Sequence, residues 1–257
     1  EVERLLAETL TPGNDDIGLQ DRPWNVSMGT QLARVPMIAT AFDLLRLLND
    51  RIDIQDIGRV LRSPWLRGGD AERNSRALLE KCLRERYPRQ LTLSEVRFRA
   101  SEIKKHDRYH NELPEDQHEP QPWHSPQLSA VLNTLTQFER EHSKSKPASA
   151  WAEAFDQLLV GLGWPLAGDS KDATTPAERA EEHDINWQTL QSWRDALREL
   201  ASLDATRPKL GRRTAISQLQ QICREKVFQP RTPAAPIQVL GLYEVSGLRF
   251  DHLWVVG

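Results

Sequence analysis

Apolar residues recur three and four positions apart along most of this chain, and each such run is closed by proline, glycine or a short polar side chain. That pattern predicts a succession of amphipathic helices. The opening EVERLLAETL carries Val2, Leu5, Leu6 and Leu10 on one stripe and is stopped by Pro12 and Gly13. WNVSMGTQL holds a short extended piece, after which Pro36 opens PMIATAFDLLRLLND, with Ile38, Phe42, Leu45 and Leu48 as a stripe that Leu44 and Leu47 widen. Asp53 caps IQDIGRVLRS, which sets Ile54, Ile57, Val60 and Leu61 on one face and halts before Pro64. Gly68 and Gly69 make a turn, Asp70 caps a helix from Ala71 to Arg86, and another helix runs from Leu93 to Glu102 behind a cap at Thr92 or Ser94. Between 106 and 125 the period fails in a stretch rich in Pro, Glu and Gln, which predicts a linker. Helical spacing returns in PQLSAVLNTLTQFEREH, in ASAWAEAFDQLLVGLGW, from Asp184 to Leu203 and in TAISQLQQICREKV, with GDSKDATTPAE as an irregular interruption.

The period changes again at the end. Pro230, Pro233 and Pro236 break the helical region, and PIQVLGLYEVSGLRFDHLWVVG reads as strand, loop, strand. Leu253, Trp254, Val255 and Val256 are apolar at every position, the pattern of a strand covered on both faces of a largely parallel sheet. Such a strand feeds a helix that covers it, and none follows, so the expectation is that the chain is a piece of a larger protein. The predicted fold is mainly α: a helical bundle over 1–235, with a sub-boundary at 106–125, then a short terminal β-strand pair at 236–257 belonging to an α/β sheet.

Composition narrows the partners. With 39% hydrophobic and 28% charged residues, the chain falls among soluble globular proteins and the cytoplasm is the expected compartment. No apolar stretch approaches the roughly 20 residues that span a bilayer, and the opening does not read as a secretory signal. Cys82 and Cys223 lie far apart in helical segments, which predicts buried thiols rather than a disulfide or a metal pair. A net charge of -3 excludes a uniformly cationic nucleic-acid binder, so any contact with DNA must be local. Two groups qualify: Lys209, Arg212 and Arg213; and Arg84, Arg86 and Arg89, the latter interleaved with Glu80 and Glu85 at pairing distance along a helix.

Chemistry of other kinds finds little to work with. There is no GxxxxGK[ST] phosphate cradle and no G-x-S-x-G elbow. Asp169-Ser170-Lys171 and Glu102-Ile103-Lys104 match the acid-x-lysine element of metal-dependent nucleases, but one sits in a loop and the other at a helix end rather than on adjoining strands. His106, His110, His118 and His124 gather near Asp107, Glu112, Glu115 and Asp116, at spacings that fit no structural zinc site. No catalytic residue and no metal ligand is assigned. Most of the tryptophans sit at helical core spacing and are read as packing residues, except Trp65 and Trp123, whose proline neighbours assign them to loops.

GLYEVSGLRFDHLWVVG resembles the segment of UvrD/RecB-type superfamily 1 helicases that reads roughly T-x-H-x-x-K-G-L-E-F-x-x-V-x-x-x-G. Gly247, Leu248, Phe250 and Gly257 agree with it, and Leu253 replaces a valine. Gly241, Tyr243, Ser246 and Arg249 stand where that family has threonine, histidine, lysine and glutamate. The polar coupling residues are thus missing while the framework is kept, a combination similar to the AddB-type helicase-like subunits. NVSMGTQLARVPMIATAFDLL and LRSPWLRGGDAERNSRALLEKCLRE also look like that group. The resemblance implies a 2B-like helical insertion over 1–235 and a degenerate motif V of domain 2A over 236–257. It implies a non-catalytic part of a bacterial DNA repair protein with a PD-(D/E)xK nuclease domain elsewhere, and ATP and Mg2+ as cofactors of the intact protein only. DNA and a helicase or nuclease subunit are the implied partners, with Ser246 and Arg249 as contact residues beside Lys209, Arg212 and Arg213. The competing expectations are a helical docking scaffold that never meets DNA and, more distantly, a hydrolase built on the Asp/His loop.

Overall fold

Helices begin where a proline, a capping side chain or a turn sets the first orphan N–H groups. In this computed structural model the described residues are 2–12, 22–27, 29–87, 89–104, 119–165, 176–230, 235–242 and 244–255. Nine α-helices lie among them: α1 Val2–Leu10, α2 Pro36–Arg46, α3 Ile54–Arg62, α4 Arg73–Arg86, α5 Leu93–Ala100, α6 Pro126–Glu141, α7 Ala148–Gly161, α8 Pro176–Ser202 and α9 Arg212–Glu225. The strands are short: β1 Trp24–Val26, β2 Thr30–Gln31, β3 Ile52–Asp53, β4 Gln90–Leu91, β5 Ile103–Lys104, β6 Glu119–Pro120, β7 Val227–Phe228 and β8 Ile237–Val239. The chain is therefore mainly helical with a small content of paired strands, the expected fold class.

Local signals explain most helix starts. Asp53 accepts the Gln55 N–H at 2.9 Å, and Thr92 rather than Ser94 caps α5, in a reciprocal box with Glu95. Asp70 does not cap α4; it holds the Arg73 guanidinium at 3.1 Å, and the helix starts at Arg73 instead of Ala71. α8 begins at Pro176, upstream of the expected Asp184. The Asp169-Ser170-Lys171 triplet, His106, His110, His118 and their acidic neighbours lie outside the described residues.

Four strands at the two ends of the chain form a stem. β2 pairs antiparallel with β7, Thr30 opposite Phe228, and the Leu32 N–H extends that ladder to the Lys226 carbonyl at 2.8 Å. Beyond it β1 and β8 run parallel in the register Trp24 to Ile237, continued by Ile237 N–H to Pro23 O and Ser27 N–H to Val239 O. The final expected strand does not form: Leu253, Trp254 and Val255 join no ladder and are 65%, 88% and 88% exposed. The physical reason is that no described strand lies beside 253–255 to receive its backbone. The pairing of β8 with β1 also joins the two sides of the boundary drawn at 236.

The core lies where α2, α7, α8 and α9 converge. Trp193 meets Phe42 and Trp164 edge-on at 5.7 and 5.4 Å, while Trp151 stacks on Phe155 at 5.3 Å. Two indole N–H groups are anchored to backbone, Trp164 on Met37 O at 2.9 Å and Trp151 on Leu210 O at 2.8 Å. Trp65 and Trp123 lie in turns as expected and pack partly against this core. Trp187 does not follow the core expectation and is 55% exposed. It sits six residues before buried Trp193, roughly 120° round the helix. Cys82 and Cys223 are free and buried, and burial pushes the Cys223 thiol up to about 12.

A buried ion pair joins α4 to α6. Arg76 is 1% exposed and donates to Glu72 at 2.9 Å and to the Arg67 carbonyl at 2.5 Å. The same Glu72 carboxylate accepts the Gln127 and Leu128 N–H groups at 2.6 and 3.0 Å, so it caps α6 from another helix. Burial lowers the Arg76 pKa, and the bonds to Glu72 oppose that. The Glu72→Ala change strands a buried guanidinium and uncaps α6, so unfolding free energy falls by about 3 kcal/mol or more. Glu72→Ala/Arg76→Met recovers a large share of the loss. A urea titration in which the single change costs under about 1 kcal/mol would contradict this role.

Candidate nucleic-acid interface

The basic group at 209–213 stands at the entrance to α9. Gly211 precedes that helix in extended backbone and provides no side-chain cap, and the chain reaches it through an isolated bridge in which Lys146 and Leu210 exchange N–H to O bonds of 3.1 and 2.9 Å. Arg212 turns inward. Its Nη2 donates to the Leu48 carbonyl at 2.7 Å and to Glu139 at 3.3 Å, tying α9 to the end of α2 and to α6. Arg213 pairs with exposed Asp50. Lys209 is exposed with no hydrogen-bonded or ion-paired partner among the described residues. One of the three expected contacts is thus a structural tie, one a surface pair, and one an open cation.

Ser246 and Arg249 occupy the turn after β8, both exposed. Gly247 between them has φ +81°, a left-handed conformation that glycine adopts without strain, so the turn requires a glycine there. Glu244 braces this turn: it accepts the Ser27 hydroxyl and the Gly241 N–H, the latter at 2.8 Å. The Ser27 bond, then that of Gly241, holds the Glu244 carboxyl below its ordinary range. A residue following β1 and the turn following β8 are joined in this way, at the carboxyl ends of two parallel strands. No hydrogen bond or ion pair among the described residues links Ser246 or Arg249 to the group at 209–213. Tyr243 lies outside the described residues.

In the second basic group only Arg84 has an ion-pair partner among the described residues, and Arg86 and Arg89 are exposed. Arg84 binds Glu80 at 2.5 Å, a carboxylate that Arg62 shares, and Glu85 sits between Arg84 and Arg86 with Lys81 at 4.0 Å. Glu102 of the Glu102-Ile103-Lys104 triplet pairs with Arg99 at 2.8 Å, so its carboxylate is held by a cation on α5. His124 keeps a buried Nδ1 without a partner, and no group of three or more metal-capable side chains occurs among the described residues. An open groove of about 400 Å³ between α7 and α8 is floored by Ala152, Leu197 and Ala201 and edged by Asp156 and Arg194; no cysteine, serine or histidine lines it. No helix among the described residues is long and apolar enough to cross a membrane.

Sequence reasoning missed the cations that share the bridge with Lys209. Lys144 and Arg207 are exposed and without ion-pair partners among the described residues, and Lys146 lies over the Trp151 ring at 4.7 Å and beside His142 Nδ1 at 3.1 Å. The signal was present in SKSKP and TRPKLG, two basic segments free of acids, but their meeting depends on a contact between distant parts of the chain. No family model, curated protein or solved structure matches the chain. The helicase resemblance therefore rests on its own quoted residues.

Two measurements follow from this geometry. Arg212→Ala removes charged hydrogen bonds from a largely buried position and lowers unfolding free energy by about 2 kcal/mol, whereas Arg213→Ala, in an exposed pair, changes it by about 0.5 kcal/mol or less. Equal effects in urea unfolding would refute the distinction. Because the Glu244 pKa is depressed, its brace contributes above the ordinary glutamate pKa and is lost as pH falls through the folded value. The Gly241 amide resonance accordingly titrates with a midpoint below the ordinary glutamate range; a midpoint within that range would remove the brace.

Proposed function

We propose that the chain is a non-catalytic part of a bacterial helicase/nuclease-like DNA repair protein, in which the helical body is inserted between neighbouring strands of a motor-type α/β sheet. In that position it helps engage DNA, or couples motor and nuclease domains, during recombinational repair in the cytoplasm. The observation that carries this reading is the parallel pairing of β1 with β8, with everything from Ser27 to Pro236 looped out between them. Parallel neighbours need a crossover connection, commonly a single helix. Here the crossover is a whole helical body, the topology of an insertion. Parallel sheets are also covered on both faces, and exposed Leu253, Trp254 and Val255 are the residues that a fuller sheet would cover. The FDHLWVVG resemblance agrees with this assignment. ATP and Mg2+ belong to the intact protein under this reading, since this chain has no phosphate cradle.

A docking scaffold without DNA contact is the second reading. It draws on the internal engagement of Arg212 and Arg213 and on the same exposed apolar residues. Fluorescence anisotropy with a short blunt DNA duplex separates the two. DNA engagement predicts saturable binding at low salt that weakens steeply as salt rises. No retention at low salt would reject it and favour the scaffold.

A further inference from the structure

We infer that the cations flanking the Lys146 to Leu210 bridge, Lys144, Arg207 and Lys209, form a phosphate-contacting face whose ligand is the backbone of duplex DNA; this rests on the reading that the chain engages DNA. Reciprocal backbone bonds of 3.1 and 2.9 Å join the segment between α6 and α7 to the segment between α8 and α9. The connections themselves, residues 142–147 and 203–211, contain four lysines and arginines and one acid, Asp204, in a chain whose net charge is -3. Elsewhere several arginines of the body are met by carboxylates, among them Arg59 on Asp43, Arg76 on Glu72 and Arg84 on Glu80. At the bridge Lys144, Arg207 and Lys209 have no such partner among the described residues.

Of the acids nearest in sequence only Glu139 is paired with a cation, and the other two accept neutral N–H groups. Asp204 accepts the Ser149 N–H at 3.2 Å at the start of α7, Glu141 accepts Gln137 at 2.8 Å, and Glu139 receives Arg212. Lys146 is held by Trp151 and His142, so it positions the segment while the three outer cations remain available. The start of α9, which lacks a side-chain cap, adds its positive end at the same edge. Neither segment contains an aromatic residue on which a base could stack. Stacking platforms are what single-strand binders use, so this face suits contact with phosphates alone, independent of sequence.

The test compares the whole chain with two triple variants in the duplex assay across a salt series. Lys144→Gln/Arg207→Gln/Lys209→Gln removes the face, and Arg34→Gln/Arg51→Gln/Arg67→Gln removes the same charge from exposed sites outside the two bridged segments. Melting curves verify that both remain folded. The face variant lowers the slope of log affinity against log salt by about 3, about 1 per phosphate contact, and weakens binding tenfold or more at moderate salt; the control leaves the slope close to that of the unaltered chain. Equal losses in the two variants, or an unchanged face variant, would overturn the face while DNA engagement stood. Equal competition by single-stranded DNA would overturn the duplex as ligand. Failure of the unaltered chain to bind would remove both the face and the reading beneath it.

Discussion

The backbone ladders of β2 with β7 and of β1 with β8 hold the two ends of the helical body at one place, and the remaining arrangement depends on that closure. Ordering so long a connection carries an entropy cost, but that cost grows only with the logarithm of its length. The few hydrogen bonds of the stem are therefore supported by burial elsewhere. α9 leads directly into β7, and the 3-10 turn Leu32–Arg34 links β2 to α2, so the stem and the core are continuous. Leu32 is fully buried and Phe228 is 6% exposed, which anchors the antiparallel pair in the same apolar interior as Phe42 and Trp193. The parallel direction of β1 and β8 is what makes the body an excursion between two neighbouring strands. A hairpin cannot join parallel strands, and the body is their connection.

Charge is distributed according to the same division between interior and outlet. Within the body, carboxylates serve several partners at once: Asp43 takes Arg46 and Arg59, Glu80 takes Arg62 and Arg84, and Glu72 takes Arg76 while capping α6. The bond to Asp43, foremost, raises the Arg59 pKa, as a shared carboxylate should. These networks link α2 to α3 and α3 to α4, where removing one partner leaves a charge uncompensated. The loops that meet at the Lys146 to Leu210 bridge carry four lysines and arginines against one acid, Asp204, so a mildly acidic chain still presents a local cationic excess. Net charge alone hides that arrangement.

Helices were legible because their signals are local. Pro36, Asp53, Thr92 and the apolar stripes each act within a turn or two of themselves, and the elements they mark lie where expected. Asp70 misled because two acids stand close together at the start of α4; one is bound to Arg73 and the other is drawn to α6 by the buried Arg76. Trp187 departs from the core spacing because the inner face of α8 is supplied by Trp193, Leu197 and Leu200. The 253–255 run has the composition of a covered strand, yet composition does not supply a neighbour. Of the interface residues, Lys209 was legible as a basic position, but the inward turn of Arg212 depends on Leu48 and Glu139, distant in sequence. The pairing of 24–26 with 237–239 is longer in range still, and nothing local announces it.

The insertion topology stands or falls with the direction of one strand pair. In a deuterated sample, cross-strand proton contacts between residues 24–26 and 237–239 report both pairing and polarity. The parallel pattern is expected, in the register Trp24 to Ile237, Asn25 to Gln238 and Val26 to Val239. An antiparallel pattern, or no contact between these segments in the folded chain, would contradict it.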